Sequence, residues 1–318
     1  MKRRITAILL LAAFLCLPLS AQGADWPNRP ITIIAGYAAG GAHDAMSRMV
    51  VPHLEKVLGV KVIVKNAAGA GGTIGAAEVA SAKPDGYTLF LTAAGPTITQ
   101  PLVRKLPYSP DSFQLISQVY NSPHAIMVSK NSRFKKLEDF VKEAKARPGE
   151  LIVGTVGLGG MNHLTLLDFC NAFGIKVKVM SERSGAEGMK NLAGGTLDGY
   201  VDTEGYIIRF DNQGLIRLWS ERSKDPQLAD VPCSKDFGKD TYWTTWAGFS
   251  GPKGIPADIV KKLDAAFAEV CKIPAFYELA GKNGYGVTYL PTAEFEKVFK
   301  NEWKRVIPIL DKEGMLLK

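Results

Sequence analysis

The sequence predicts an α/β chain of two domains, with strands and helices in alternation. Three observations carry that expectation. From residue 31 onward, short apolar runs alternate with amphipathic stretches of helical period. Once an N-terminal leader is set aside, about 295 residues remain, a size that suits two domains. One device also occurs twice: a strand runs through a loop of small residues into a helix, in "ITIIAGYAAGGAHDAMSR" and again in "LIVGTVGLGGMNHLTLLDF". Strand–helix order of this kind pairs parallel strands through right-handed crossovers.

The leader is read first. "MKRR" is a basic opening, and "ITAILLLAAFLCLPLS" is an apolar run too short for a comfortable membrane span. Ala21 and Gly23 hold the small positions before a cut, so residues 1–23 read as a cleaved signal peptide of an exported protein. An uncleaved anchor is the weaker reading, because no later segment resembles a transmembrane helix. "AFL" before Cys16 is a poor lipoprotein signal. Loss of Lys2, Arg3 and Arg4 lowers the formal charge from +8 to about +5. That mild excess suits anionic solutes, and without a basic run it excludes nucleic acid as a partner. Cys170, Cys233 and Cys271 remain, either as buried thiols or with a Cys170–Cys233 disulfide. They show no metal-like spacing with the four histidines.

The elements follow in order. "ITIIAG" is a strand, and Met46, Met49, Val50, Leu54 and Val57 mark a helix over 44–58, with Pro52 inside it to kink it or cost a hydrogen bond. "VKVIVKN" is the second strand, "GGTIGAAEVASAK" the second helix, and "YTLFLTA" the third strand after the turn "KPDG". A second set opens with the strand "HAIMVSK" and the helix "KLEDFVKEAKARPG". "LIVGTVG" then leads into the helix "LTLLDFCNAFG", and "IKVKVM" and "GTLDGYVDT" continue the alternation. "TYWTTWAGFSGP", a helix over 256–271 and a last helix near 292–311 close the chain.

The loop chemistry points to anions. A helix N-terminus leaves its first N–H groups without intrahelical partners and carries partial positive charge. Small residues ahead of it let an anion approach, with no cationic side chain required. Gly40, Gly41, Ala42 and His43 form such a mouth, and Asp44 is placed to cap it or pair with Arg48 four residues on. A nucleotide loop is excluded, because Ala42, His43 and Asp44 stand where G-K-[ST] is required. "GFSGP" is not a nucleophile elbow, since Pro252 holds its last glycine position. One such loop alone reads better as a tight turn between strand and helix. Its duplication favours a cleft lined by two anion-accepting loops, with no cofactor.

The motifs "WPNRPITIIAGYAAGGAHDAMSR", "GVKVIVKNAAGAGGTIGAAEVASAKPDGYTLFL" and "LPYSPDSFQLIS" resemble the substrate-binding proteins of tripartite tricarboxylate transporters, the Bug family. "GTVGLGGMNHLTLLDF", "GGTLDGYVD", "WAGFSGPKGIPADIVKKLDAAF" and "EWKRVIPILDKEG" extend the resemblance over essentially the whole mature chain. It implies a two-domain periplasmic binding protein of type II, a Venus-flytrap with two hinge crossings. Residues 24–121 with 240–318 would form one domain and 122–239 the other. It also implies a periplasmic monomer that binds a small organic anion, a mono- or dicarboxylate, and hands it to membrane permease subunits.

The resemblance carries ligand contact onto Tyr37, Ala39, Gly40, Gly41, Ala42, His43 and Asp44; onto Ala94, Gly95 and Thr97; and onto Gly157, Gly159, Gly160, Met161, Asn162, His163 and Asp202. Two departures matter: His43 replaces the family's usual Thr, and "ERSG" replaces "YKG", bringing Arg183 and Ser184 to the cleft edge. Arg183 either grips a carboxylate through paired hydrogen bonds or sits on a solvated rim. Glu182 and Glu204 answer a cationic ligand group or neutralise Arg183 and His43. His43 contacts ligand, caps, packs or faces solvent, and His163 contacts ligand or holds its helix. Trp243, Trp246, Tyr242 and Phe249 read as hinge and core packing, and Asn66 as a brace for the glycine turns. A receptor-docking sensor remains the alternative. A cleft enzyme using His43 and Asp44 is weaker, because adjacent residues on a helix start point apart and no partnered nucleophile is visible.

Overall fold

The computed structural model describes residues 26–210, 213–218, 228–239, 241 and 243–317. The expected signal peptide, Cys16 and Tyr242 lie outside these residues. Among the described residues no helix is long and apolar enough to cross a membrane.

The first unit follows from its sequence period. β1 (Ile31–Ala35) pairs in parallel with β2 (Val62–Asn66) and β3 (Thr88–Ala93). Successive side chains of β1 leave opposite faces. Ile31 and Ile33 join Met46, Met49, Val50 and Leu54 of α1 (Ala42–Leu58), while Ile34 packs with Ala76, Val79 and Phe90 on the other face. α1 runs on through Pro52, whose missing N–H costs one hydrogen bond. α2 spans Thr73–Ala80, and β3 leads through a π-helical turn at Gly95–Thr99 into α3 (Gln100–Val103).

β4 (Phe113–Val128) begins well before the expected "HAIMVSK". Its first half carries buried Ser117, Gln118 and Ser122, and its register slips twice against β9 (Thr244–Pro252). Those slips erase the alternation of period two that marks a strand in sequence. Beyond Pro123 the same strand leaves β9 and pairs with β7 (Gly199–Thr203) and β8 (Gln213–Leu218).

The second unit adds α4 (Leu137–Ala146), β5 (Ile152–Val156), α5 (Met161–Phe173), β6 (Lys178–Glu182), α6 (Gly185–Ala193) and α7 (Gly205–Phe210). β5 pairs in parallel with β6 and β7. α8 (Ala257–Val270), α9 (Pro274–Lys282), β10 (Val287–Leu290) on β4, and α10 (Thr292–Lys312) complete the chain. The sheet order is β2-β1-β3-β9-β4-β7-β5-β6, with β8 and β10 also on β4. α6 went unread because "GAEGMKNLAGG" is glycine-rich. Ser184 caps it, and the Tyr200 ring covers Gly188 so closely that a Cβ would overlap it.

Trp243, Trp246 and Phe249 are buried core residues, as expected. Phe249 stacks on Phe267 at 4.2 Å, and Trp246 meets Phe295 edge-on at 5.3 Å. The structure holds no Cys170–Cys233 disulfide; Cys233 and Cys271 are buried and Cys170 is half-buried.

Candidate functional site

The loop between β1 and α1 is held by a hydrogen-bond network. Gly40 takes the left-handed φ of +79° that a side chain resists, and Gly41 is the helix N-cap at φ −80°, ψ 174°. The Gly40 N–H donates to Asp44 Oδ2 at 2.9 Å, and Arg48 Nε donates to Asp44 Oδ1 at 2.8 Å. Arg48 also donates to Asn66 Oδ1, and Asn66 Nδ2 donates to the Tyr37 carbonyl, so Asn66 braces the loop. Burial pushes the Asp44 carboxyl up, and the bonds from Arg48 and Gly40 outweigh it and hold the group below its ordinary value.

This corrects the expectation that all the loop amides await a ligand. Gly40 N–H is held by Asp44, and Gly41 N–H by the Ala38 carbonyl. The amides of Ala42, His43 and Asp44 have no acceptor among the described residues. Three first-turn N–H groups therefore remain at an accessible mouth, beside exposed Ala38, Ala39 and Gly40. The Asp44 carboxylate fixes the loop and does not face outward.

The loop between β5 and α5 repeats this geometry. Gly159 has φ +75° and Gly160 is the N-cap at φ −85°, ψ 173°. Gly159 N–H donates to His163 Nδ1 at 3.1 Å, as Gly40 does to Asp44, each four residues on. Gly160 N–H reaches the Gly157 carbonyl, as Gly41 reaches Ala38. The amides of Met161, Asn162 and His163 have no acceptor among the described residues, and Asn162 is the counterpart of His43. His163 thus holds its helix, accepting through Nδ1, and burial lowers its pKa.

The side chains then differentiate the mouths. His43 packs edge-on against Tyr37, ring centroids 4.4 Å apart, with its Nδ1 buried and unpartnered. Burial lowers its pKa to about 4, so it is neutral at pH 7 and offers an anion no charge. It makes no bond to Asp44, which removes the base-and-orienter pair of the enzyme reading. Tyr37 donates to the Gly71 carbonyl. Asp202 is 7% exposed and accepts from Tyr200 Oη at 3.0 Å, from the Thr203 amide and from the Asn162 side chain. Burial lifts its pKa to about 6, against the lowering effect of those three bonds.

The remaining expected residues stand apart from the mouths or are occupied. Ala94 and Thr97 are buried, and the Thr97 hydroxyl donates to the Ala93 carbonyl at 2.8 Å, so the β3 loop presents only half-buried Gly95. The Arg183 side chain is 89% exposed and forks onto Glu187, with Nη2 donating to Oε1 at 2.6 Å. Ser184 accepts from the Glu187 amide and caps α6. Glu187, four residues on, therefore answers Arg183, a pairing the sequence spacing already offered. Gln100 was missed. It is 4% exposed, and its Oε1 has no partner. A Cβ on Gly71 would stand 3.3 Å from its Cδ, and one on Gly159 3.9 Å from its Nε2. Its amide therefore lies where the second mouth meets the first unit. The π-helical turn before α3 adds a residue to that turn and rotates Gln100 to a face the sequence period does not indicate.

A sequence profile for TctC, the tripartite tricarboxylate transporter family receptor, matches residues 46–315. The chain belongs to that family. A "UPF0065 protein in gbd 5'region" from Cupriavidus necator is 31% identical, covering 98% of this chain and 94% of that relative. A solved structure described as a periplasmic transporter is 28% identical with a TM-score of 0.83, over 92% of this chain and all of that one. The periplasmic binding protein BugD is 26% identical with a TM-score of 0.80, over 92% of this chain and 100% of its own. The fold is therefore the two-domain α/β fold of periplasmic binding proteins, and the chain is a solute-binding protein of the Bug type, not an enzyme.

Proposed function

We propose that this protein is the exported solute receptor of a tripartite tricarboxylate-type transporter. It captures a small organic anion by a carboxylate in the cleft between residues 24–121 with 240–318 and residues 122–239. The observation that carries this reading is the pair of congruent helix mouths, each with three first-turn amides that have no acceptor among the described residues. A carboxylate docks on the Ala42–Asp44 amides, where backbone N–H groups and the helix dipole both favour negative charge. Bending at the β4 and β9 crossing brings the second mouth over the far end of the solute. Exclusion of water then strengthens each dipole contact. The closed monomer is the form that the membrane permease subunits recognise in the periplasm.

The test is a thermal-shift screen of organic acids with purified mature protein. An acid at a hundred times its dissociation constant adds about 2.7 kcal/mol of stability and raises the melting midpoint. Mass spectrometry of the eluted solute should return it unchanged at one equivalent. A screen in which no carboxylate shifts the midpoint sinks the reading.

A further inference from the structure

The two mouths share a backbone but are braced differently. At the first, Asp44 accepts from the Gly40 amide, Arg48 fixes Asp44, and Asn66 ties Arg48 to the Tyr37 carbonyl, so a chain of hydrogen bonds anchors the turn within its own unit. At the second, His163 accepts from the Gly159 amide and makes no further hydrogen bond among the described residues. Packing differs in the opposite sense. A Cβ on Gly40 would meet nothing within 4 Å, whereas one on Gly159 would stand 3.5 Å from the Met315 methyl, 3.8 Å from Val103 and 3.9 Å from the Gln100 amide nitrogen. Met315 reaches that turn because α10 stops sharply. Gly314 takes a left-handed φ of +64°, and the Met315 N–H returns to the Leu310 carbonyl at 2.8 Å, a glycine-terminated helix end. Two residues on, the Leu317 N–H donates to the Leu102 carbonyl of α3 at 2.8 Å. Lys312 Nζ donates to Asn171 Oδ1 of α5 at 2.7 Å, and the Glu313 carboxylate acts on His163, raising its pKa against burial. Residues 312–317 therefore engage α5, its mouth and α3 together.

We propose that the segment after α10 is a strap that holds the second mouth in its binding geometry, with Met315 as the positioning residue: it packs the bare Gly159 turn against α3 and sets affinity without touching the solute. This rests on the receptor reading above. At φ +75° Gly159 resists a side chain, so the turn has none of its own to anchor it and a neighbour must supply the packing. The unbranched, flexible thioether of methionine suits an irregular gap of this kind. A turn without that packing samples other conformations, and a solute must then order it on binding; a braced turn is already formed. In the proposed division the strap and α3 belong to the first unit and the mouth to the second. The strap therefore also sets how far the second mouth stands from its counterpart. The first mouth, braced by Asp44, Arg48 and Asn66, needs no such help.

Residue-resolved amide hydrogen exchange on the solute-free mature protein tests this, with Met315→Ala to remove the packing and Met315→Leu to restore most of it. The probes are the Gly159 and Leu164 amides, both hydrogen-bonded within the second turn, against those of Gly40 and Ala45 in the first. In Met315→Ala the second pair should exchange about tenfold faster than in the parent while the first pair stays within about twofold. Met315→Leu should bring the second pair back to within about threefold of the parent. Calorimetry is run beside it with succinate, glutarate, adipate and benzoate. Those that bind the parent should bind Met315→Ala about tenfold more weakly and Met315→Leu about as tightly as the parent. Exchange unchanged at Gly159 and Leu164 in folded Met315→Ala overturns the proposal. So does a rise of equal size at both mouths, which would make Met315 a general packing residue, or an affinity that Met315→Ala leaves intact. If no organic acid binds the parent, the receptor reading fails, and the exchange ratio still decides whether the strap holds the turn.

Discussion

Ala42 supplies the first amide of α1, and a proline there deletes that one N–H while keeping the helix. Proline is welcome at the first helical position, and Gly41 before it has the extended ψ of 174° that a following proline requires. Ala42→Pro should therefore leave the melting midpoint near that of the parent and weaken binding of a carboxylate about tenfold, the worth of one charge-assisted hydrogen bond. Calorimetry beside a melting curve checks both halves. Arg183→Ala is the matched control on the rim. Its guanidinium is exposed and already paired with Glu187, so affinity should stay within about twofold, in keeping with the small worth of exposed ion pairs. A tenfold loss there would place Arg183 in the site after all.

At the scale of the elements, His124 ties three of them together. It lies in β4 where the strand leaves β9 for β7, with its amide bonded to the Trp243 carbonyl. Its Nδ1 meets Thr165 Oγ1 of α5 and its Nε2 meets Thr245 Oγ1 of β9, each at 2.6 Å. Thr165 already donates its proton to the Met161 carbonyl, so Nδ1 must carry the ring proton and Nε2 must accept from Thr245. Burial, with Arg305 adding to it, lowers the pKa of this ring to about 3. An unfolded histidine titrates near 6.5, so the unfolded chain takes up the proton first and stability falls as pH drops below that value. This group alone should cost about 2 kcal/mol between pH 7.5 and pH 5. His43 acts in the same direction. Asp202, whose pKa is raised to about 6, opposes them: its contribution falls as pH rises from about 4 to 6. Chemical denaturation of the parent and His124→Gln at both pH values isolates the effect. The stability gap between them should narrow in acid, and parallel curves would contradict the assignment.

For the whole molecule, one backbone contact ties the two proposed domains together and would limit the proposed closing motion. Gly205, at the start of α7, lies so close to Gly284, between α9 and β10, that a Cβ on Gly205 would overlap the Gly284 carbonyl. Gly284 has φ +77°, so it cannot readily yield to a side chain either. The contact joins the proposed second domain to the proposed first. Gly205→Ala should force the two apart, lowering stability by about 1–3 kcal/mol as an overpacked contact. The radius of gyration of the ligand-bound form, measured by X-ray scattering, should rise. An unchanged midpoint and radius would mean that the contact does not limit closure.

By itself the sequence determined the local framework. The apolar period of "ITIIA" and of Met46, Met49, Val50 and Leu54 specifies a strand and a helix with one buried face, and Gly40 and Gly159 stand where a left-handed φ favours glycine. These are properties of neighbouring residues, so neighbouring residues reveal them. The tertiary structure decided which loop amides stay open, because their acceptors, such as Asp44 Oδ2, are set by how the loop folds back. It decided the first half of β4, where pairing with β9 and β10 holds buried serines and glutamine to which the sequence period assigns no element. It also decided Gln100, whose chemistry depends on Gly71 and Gly159 from distant parts of the chain closing on one amide.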